Sequence, residues 1–302
     1  MSSCKSNSTY DLVSSHYGKY ASTATESASA YNASVAESFG YSAEELASIP
    51  TGSNLGVSCG NPLATANLQP HETLIDLGCG GGLDVFLAAR KLPQGRAIGV
   101  DMTPSMLSLA RKNAASASPP ITNVDFVEAN ITDISPLADG IADVIVSNCV
   151  INLVPDEEKP KVFREVFRLL KNGGRMAVSD MLTRREIPED VRGDVGLYIG
   201  CVSGASRIEE YERWMKEAGF KDIAIIDTKS DVNVYKEGII SFDGDEKVSA
   251  GGQQTGGGCC GGTTIDPDQA EPAAKERAKR VANLDLNEFV GSFKIFAVKP
   301  QA

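Results

Sequence analysis

Between residues 73 and 182, short apolar runs alternate with segments of helical spacing, and this rhythm constrains the fold more than any other feature. "TLIDLGC" from 73, "RAIGVD" (96–101), "VDFVEANI" (124–131), "ADVIVSNC" (142–149) and "RMAVSDML" (175–182) read as strands. "GLDVFLAARKL", "TPSMLSLARKNA" (103–114) and "DEEKPKVFREVFRLLK" (156–171) place their apolar residues on one helical face. Strands that alternate with helices form a mainly parallel sheet with right-handed crossovers. The pattern continues with an amphipathic helix at 207–220, a sixth strand at 222–230 and a last strand at 291–300. The predicted class is therefore α/β, with a mainly parallel seven-stranded sheet.

Local signals set the boundaries. Thr103 is the expected N-cap of the second helix, with Pro104 at its first position. Asn172-Gly173-Gly174 is expected to stop the third. Ser42 and Glu45 form a capping box for a short helix within 41–50, closed by Pro50. Residues 1–40 are polar and compatible with helix. "AGGQQTGGGCCGGTT" interrupts 236–290 as a flexible segment, before a charged helix near 268–282. Four regions follow: an N-terminal helical extension or lid (1–58), a core (59–235), a Gly/Cys-containing insertion (236–290) and the last core strand (291–302).

Bulk properties exclude several classes. The net charge is −11 and no basic run occurs, which argues against a nucleic-acid backbone or an anionic membrane as partner. No apolar run approaches ~18 residues, as a membrane span requires. The N-terminus "MSSCKSNSTYDL" lacks the apolar stretch of a secretory signal, so a cytoplasmic location is expected. The seven cysteines are odd in number and widely spaced, which favours reduced thiols over a disulfide framework. His16 and His71 are the only histidines, so a His-based metal site or general base is poorly supplied.

The first strand runs into Asp76-Leu77-Gly78-Cys79-Gly80-Gly81-Gly82, and the second ends at Asp101. Glycines permit a tight turn and close approach of a ligand. A strand-end acid there can accept hydrogen bonds from ribose hydroxyls. Leu83 stands where a dinucleotide-binding loop has its third glycine. "DLGCGGG" and "GVDMTPSML" instead resemble the cofactor motifs of the Rossmann-like class I S-adenosylmethionine-dependent methyltransferases. The resemblance implies that Asp76, Gly78 and Gly80 shape the methionine end of the cofactor pocket. Asp101 would hold the ribose, and Met102 would flank the adenine. Ile131 and Thr132 would lie at the adenine edge, and Asn148 would orient either the loop or the cofactor's amino group. Cys79 reads as a small packing residue.

Cys149 falls at the carboxyl end of the fourth strand, where open α/β sheets bind ligands. These loops hold no convincing general base, which an oxygen or nitrogen acceptor often needs. A soft acceptor with its own lone pair needs none, and thiolates suit soft elements. Cys59 in "VSCGNP" and Cys201 in "LYIGCVSGAS" also sit in loops. These segments, with "SNCVINL", "ELASIP" and "FKIFAVKP", resemble the arsenite methyltransferases over about 41–230 and 291–300. That resemblance implies that Cys59, Cys149 and Cys201 hold trivalent arsenic, delivered as arsenite or its glutathione conjugate. It further implies that thioredoxin or glutathione resets the thiols. Tyr17, Gly18 and Lys19 match a family motif for a lid over the cofactor.

One departure concerns the N-terminal segment, where many members carry further cysteines. Residues 22–40 contain none, and Cys4 lies upstream. Cys259 and Cys260 are candidates for a thiol shuttle on the glycine-rich arm. Asn152, like Asn148, would orient the loop or the cofactor's amino group, Trp214 would be core, and Glu157, Glu158 and Lys159 would be solvated charges at a helix start. A methyltransferase acting on a quinone, sterol or phenol, or a non-catalytic arsenic-binding protein, remains an alternative. A monomer is expected.

Overall fold

The computed structural model describes residues 2–23, 29–236 and 279–301. Cys259, Cys260 and most of the helix expected near 268–282 lie outside them. Among the described residues, four α-helices precede the sheet: α1 (Ser2–Thr23), α2 (Ser29–Ser38), α3 (Ala43–Ala47) and α4 (Leu63–Ala66). The α/β alternation then unfolds as β1 (Thr73–Leu77), α5 (Leu83–Lys91), β2 (Arg96–Asp101), α6 (Pro104–Ser116) and β3 (Val124–Glu128). It continues with β4 (Ala142–Asn148), α7 (Lys159–Leu169) and β5 (Leu170–Thr183). The short helices α8 (Glu189–Arg192) and α9 (Val195–Ile199) lead to β6 (Ser206–Arg207), α10 (Ile208–Ala218), β7 (Lys221–Asp227) and β8 (Val290–Val298).

The strands form one sheet in the order β3-β2-β1-β4-β5-β8-β7, with β6 paired to β5 off this path. The seven expected strands are present, and the two-residue β6 is an eighth. β1 to β5 are mutually parallel, whereas β8 runs antiparallel between β5 and β7. Strand order reverses at β1, which has β2 on one side and β4 on the other. Such a switch point opens a crevice beyond the strands' carboxyl ends.

The two-residue period of the strands divides the core. Ile75, Leu77 and Ile145 face Phe163 and Val166 of α7 and Tyr211 and Trp214 of α10. Leu74, Val144 and Val146 face Val85, Phe86 and Leu87 of α5 on the other side. Trp214 is core, as expected. Both sides of the central strands are covered, which is why these strands read as continuous apolar runs.

Local chemistry decides the boundaries, not always as the sequence suggests. The capping box of α3 forms: Glu45 N–H donates to Ser42 Oγ, and Ser42 N–H donates to Glu45 Oε2, both at 3.1 Å. Thr103 precedes α6, but its side chain makes no cap hydrogen bond. Its backbone N–H donates to Asp101 Oδ1 at 2.8 Å instead. The expected stop of α7 at Asn172-Gly173-Gly174 is corrected. The helix ends at Leu169, and β5 starts at Leu170 and passes through the glycines. Leu170 pairs with Ala142 and Arg175 with Val144, with an irregularity between them. The glycines therefore absorb a bulge, with Gly173 at φ +77°.

Lys159 overturns the expectation of a solvated charge. Its side chain is fully buried. Nζ donates to Gly204 O at 2.6 Å, Ser206 Oγ at 2.8 Å and Asp156 Oδ1 at 2.7 Å. It ties the start of α7 to the segment that follows Cys201. Lys159→Ala leaves these acceptors unpaired and opens a void. We expect it to cost roughly 2–4 kcal/mol, read as a lower denaturant midpoint at unchanged slope.

Candidate active site

The glycine loop is built by close approach. Gly78 has φ +70°, and a Cβ there would meet Val150 side-chain atoms at 2.5 Å. The loop is also tethered to β2: Gly78 N–H donates to Val100 O at 2.7 Å, and Gly80 N–H donates to Asp101 Oδ2 at 2.9 Å. Two adjoining clefts open beside it. The larger encloses about 700 Å³, its mouth included, and is lined by Gly78, Gly80, Asp101, Met102, Ile131, Asn148 and Cys149 among others. The smaller is lined by Asp76, Asp84, Gly78, Gly80 and Asn148 among others. Thr132 lines neither; its hydroxyl donates to Asn130 Oδ1 at 2.9 Å, and Asn130 reaches the larger cleft. Sequence reasoning did not single out Asn130 or Asp84.

Electrostatically the clefts are acidic. Burial pushes the Asp76 carboxyl well above the ordinary range, and the nearby Asp84 and Asp101 push it further. Burial raises Asp84 to about 6, held back by hydrogen bonds from Tyr41 and Asn148. Those bonds measure 2.7 Å from Tyr41 Oη and 3.2 Å from Asn148 Nδ2. Asp101 is also raised by burial, against the N–H groups of Thr103 and Gly80. Among the described residues, no Lys, Arg or His lines either cleft. A nucleoside-type ligand carrying positive charge near the glycine loop suits this donor set.

Asn148 joins the clefts to the cysteines. Its Oδ1 accepts from Cys59 N–H at 3.0 Å, while Nδ2 donates to Tyr41 Oη and Gly60 O, both at 2.8 Å. Its amide thus holds the loop that carries Cys59. Gly60 lets that loop press on β5, since a Cβ there would meet the Ser179 side chain at 2.5 Å.

Cys59, Cys79, Cys149 and Cys201 are buried and free of disulfides. Cys79 packs inside the glycine loop near Gly99, as expected. The other three lie in one cluster at the strand tips. Cys149 and Cys201 adopt φ of 60° and 61°, a left-handed conformation that costs a non-glycine residue about 1–2 kcal/mol. Strain of this kind concentrates at functional sites. Cys149 links the others: its Sγ lies within 4.8 Å of Cys59 Sγ, and its backbone O accepts from Cys201 Sγ at 2.9 Å. Burial pushes the Cys59 thiol up to about 12 and raises Cys149 strongly. Cys201 is raised first by its contact with Cys149 and then by burial.

The sulfurs do not converge as three alone. Cys59 Sγ, Cys149 Sγ and a carboxylate oxygen of Asp180 all lie within 4.8 Å of one another. Cys201 Sγ instead donates to Cys149 O at 2.9 Å. Asp180 is fully buried. Its Oδ1 accepts from Asn152 Nδ2 at 2.8 Å and Met181 N–H at 2.9 Å, and its Oδ2 accepts from Tyr211 Oη at 2.9 Å. Asn152 therefore anchors this carboxylate. Burial raises Asp180 to about 6, opposed chiefly by the Tyr211 hydrogen bond.

Helix α1 lies along one side of the larger cleft through Tyr10, Val13 and Tyr17. Tyr17 Oη donates to Ile199 O at 3.2 Å, and Tyr20 Oη donates to Leu55 O at 2.8 Å. No helix among the described residues is long and apolar enough to cross a membrane.

The sheet order, its antiparallel β8 and the glycine cradle at the switch point define the class I methyltransferase fold. Residues 68–219 match the family model described as a methyltransferase domain. The chain belongs to that family. It is 45% identical over 194 residues to an arsenite methyltransferase of Halobacterium salinarum, covering 64% of this chain and 48% of the relative. To the arsenite methyltransferase of Homo sapiens it is 33% identical over 154 residues, covering 49% and 40%. The chain thus spans about half the length of the curated relatives it matches. Among solved structures it resembles an arsenic(III) S-adenosylmethionine methyltransferase from Chlamydomonas reinhardtii, with TM-score 0.50, 24% identity, and coverage of 90% and 74%. It also resembles the Haemonchus contortus phosphoethanolamine N-methyltransferase 2, solved with S-adenosyl-L-methionine, with TM-score 0.56, 17% identity, and coverage of 79% and 51%.

Proposed function

We propose that the protein methylates trivalent arsenic, with S-adenosylmethionine as methyl donor and the thiols of Cys59, Cys149 and Cys201 as arsenic ligands. The observation that carries this reading is the place of Cys149. It lines the larger cleft and also belongs to the buried thiol cluster. S-adenosylmethionine, when bound, supplies a methyl group on a sulfonium. Gly78, Gly80, Asp101, Met102 and Ile131 would hold it, and Asp76 and Asp84 would face its positive charge.

The chain's own part is placement. Arsenite exchanges its hydroxyl groups for thiolates, and each thiol proton leaves in water, so the high thiol pKa values do not block loading. From a glutathione conjugate the proton leaves on glutathione. Held as a pyramidal thiolate, arsenic keeps a lone pair that is its own nucleophile, so no general base is needed. Burial excludes water and orients the reactants, which is where the rate gain of such a displacement lies. Two cysteine thiolates can then return pentavalent arsenic to the trivalent state by closing a disulfide. Glutathione or thioredoxin reopens it by thiol exchange. Cys259 and Cys260 are proposed to relay that exchange. The relatives' arsenite activity supports this reading over an organic acceptor.

The test uses purified full chain, arsenite, glutathione, thioredoxin and S-adenosylmethionine, with arsenic species separated by chromatography. Methylated arsenic should accumulate and depend on the thiols. Its absence, with methylation of a phenol or quinone instead, would reverse the assignment.

A further inference from the structure

The proposed arsenic site uses three sulfurs, yet a buried carboxylate stands among these thiols. Asp180 shares the 4.8 Å group with Cys59 and Cys149, whereas Cys201 does not. The carboxylate has no part in a three-sulfur arsenic site, so its place in this group asks for a second ligand chemistry. The group suits a divalent cation. Zinc-class ions take cysteine sulfur and carboxylate oxygen together in a tetrahedron. Two thiolates already match the double charge of such an ion, and the carboxylate adds a third anionic ligand atom to the set.

The surroundings are those of a built ligand set. Asn152, Tyr211 and the Met181 N–H all donate to Asp180, as the partners of a metal-binding carboxylate commonly do. None of them blocks every lone pair, since a carboxylate offers about four acceptor positions. Cys201 Sγ reaches the Cys149 backbone O at 2.9 Å and is available as a fourth ligand once its S–H leaves that oxygen.

We propose that Cys59, Cys149 and Asp180, with Cys201 as fourth ligand, form a tetrahedral site for a borderline-soft divalent cation of the zinc and cadmium class. Binding releases the thiol protons to solvent and involves no redox change. The cation occupies the thiols when arsenic is absent. The cysteines are shared with the arsenic reading, but cation binding does not rest on it.

The experiment uses the full chain with Cys4, Cys259 and Cys260 changed to serine, reduced and metal-free. Co²⁺ and Cd²⁺ are titrated by absorbance, and arsenite by quenching of Trp214 fluorescence or by calorimetry. One Co²⁺ per chain should give tetrahedral d–d bands and a thiolate-to-metal band. Asp180→Asn should weaken Cd²⁺ by about tenfold or more and leave arsenite affinity nearly unchanged. Cys59→Ser should weaken both, and it serves alone if Asp180→Asn does not fold. Cd²⁺ affinity in Asp180→Asn within about threefold of the parent, or parent affinity no better than that of Cys59→Ser, would overturn the proposal. Failure of arsenite to bind while Cd²⁺ binds would count against the arsenic reading alone.

Discussion

Cys149→Ser should lower arsenic methylation roughly 10²-fold or more, the scale expected when a reacting group is misplaced by about an ångström. S-adenosylmethionine affinity should change little. The contrast follows from position. Cys149 lines the larger cleft, lies near Cys59 Sγ and accepts from Cys201 Sγ through its backbone O, so on the proposed function the arsenic would lose its central ligand. Serine offers a harder oxygen that holds a soft element poorly. It is close to isosteric and inherits the same backbone burden at φ 60°. The folded protein should therefore survive, with a near-parental melting temperature. Turnover by chromatography and cofactor binding by calorimetry separate the roles. Loss of both would make Cys149 a structural residue, and retained turnover would remove it from the site.

The α/β rhythm was legible because buried parallel strands must be apolar on both faces, and β2 falls on the residues the pattern marks. The glycine loop was legible because few other residues tolerate its backbone. What escaped reading was polar and buried. Lys159 sits in "DEEK" and looks like surface charge, yet its partners Gly204 and Ser206 lie more than forty residues on. Nothing local announces such a contact. Asp84 looks like a favourable acid in the first turn of α5, and only Tyr41 and Asn148 around it show that it is buried. Asp180 was the readable omission. An acid inside "AVSDML", an apolar strand run, must be paired or functional, because burying an unpartnered charge is costly. The glycines at 173 and 174 misled for the opposite reason. The same residues end helices and bend strands, and strand pairing with β4 decided between the two.

Asp76→Asn should separate cofactor binding from stability. Asp76 lies in the smaller cleft beside Asp84, where burial and the neighbouring carboxylates already favour its neutral form. A group whose folded pKa exceeds its unfolded one contributes stability that is present below the unfolded pKa and lost as pH rises through the folded one. Ionised Asp76 and Asp84 are therefore a burden on the free protein near neutral pH. Asparagine resembles the neutral acid, so the melting temperature of the free variant should hold or rise. On the proposed function the cationic donor should reverse the balance, since it would favour the ionised carboxylates and release protons on binding. Removing one buried partner of such a pair costs about 2–5 kcal/mol, so the dissociation constant should rise by roughly 30-fold or more. Parental affinity should also weaken as pH falls through the region near 6 where Asp84 titrates. Asp76→Asn should flatten that dependence in part. Calorimetry in two buffers of different ionisation heat counts the protons. A destabilised variant with parental affinity and an unchanged pH profile would place Asp76 in the scaffold and leave the donor's charge without its counterpart.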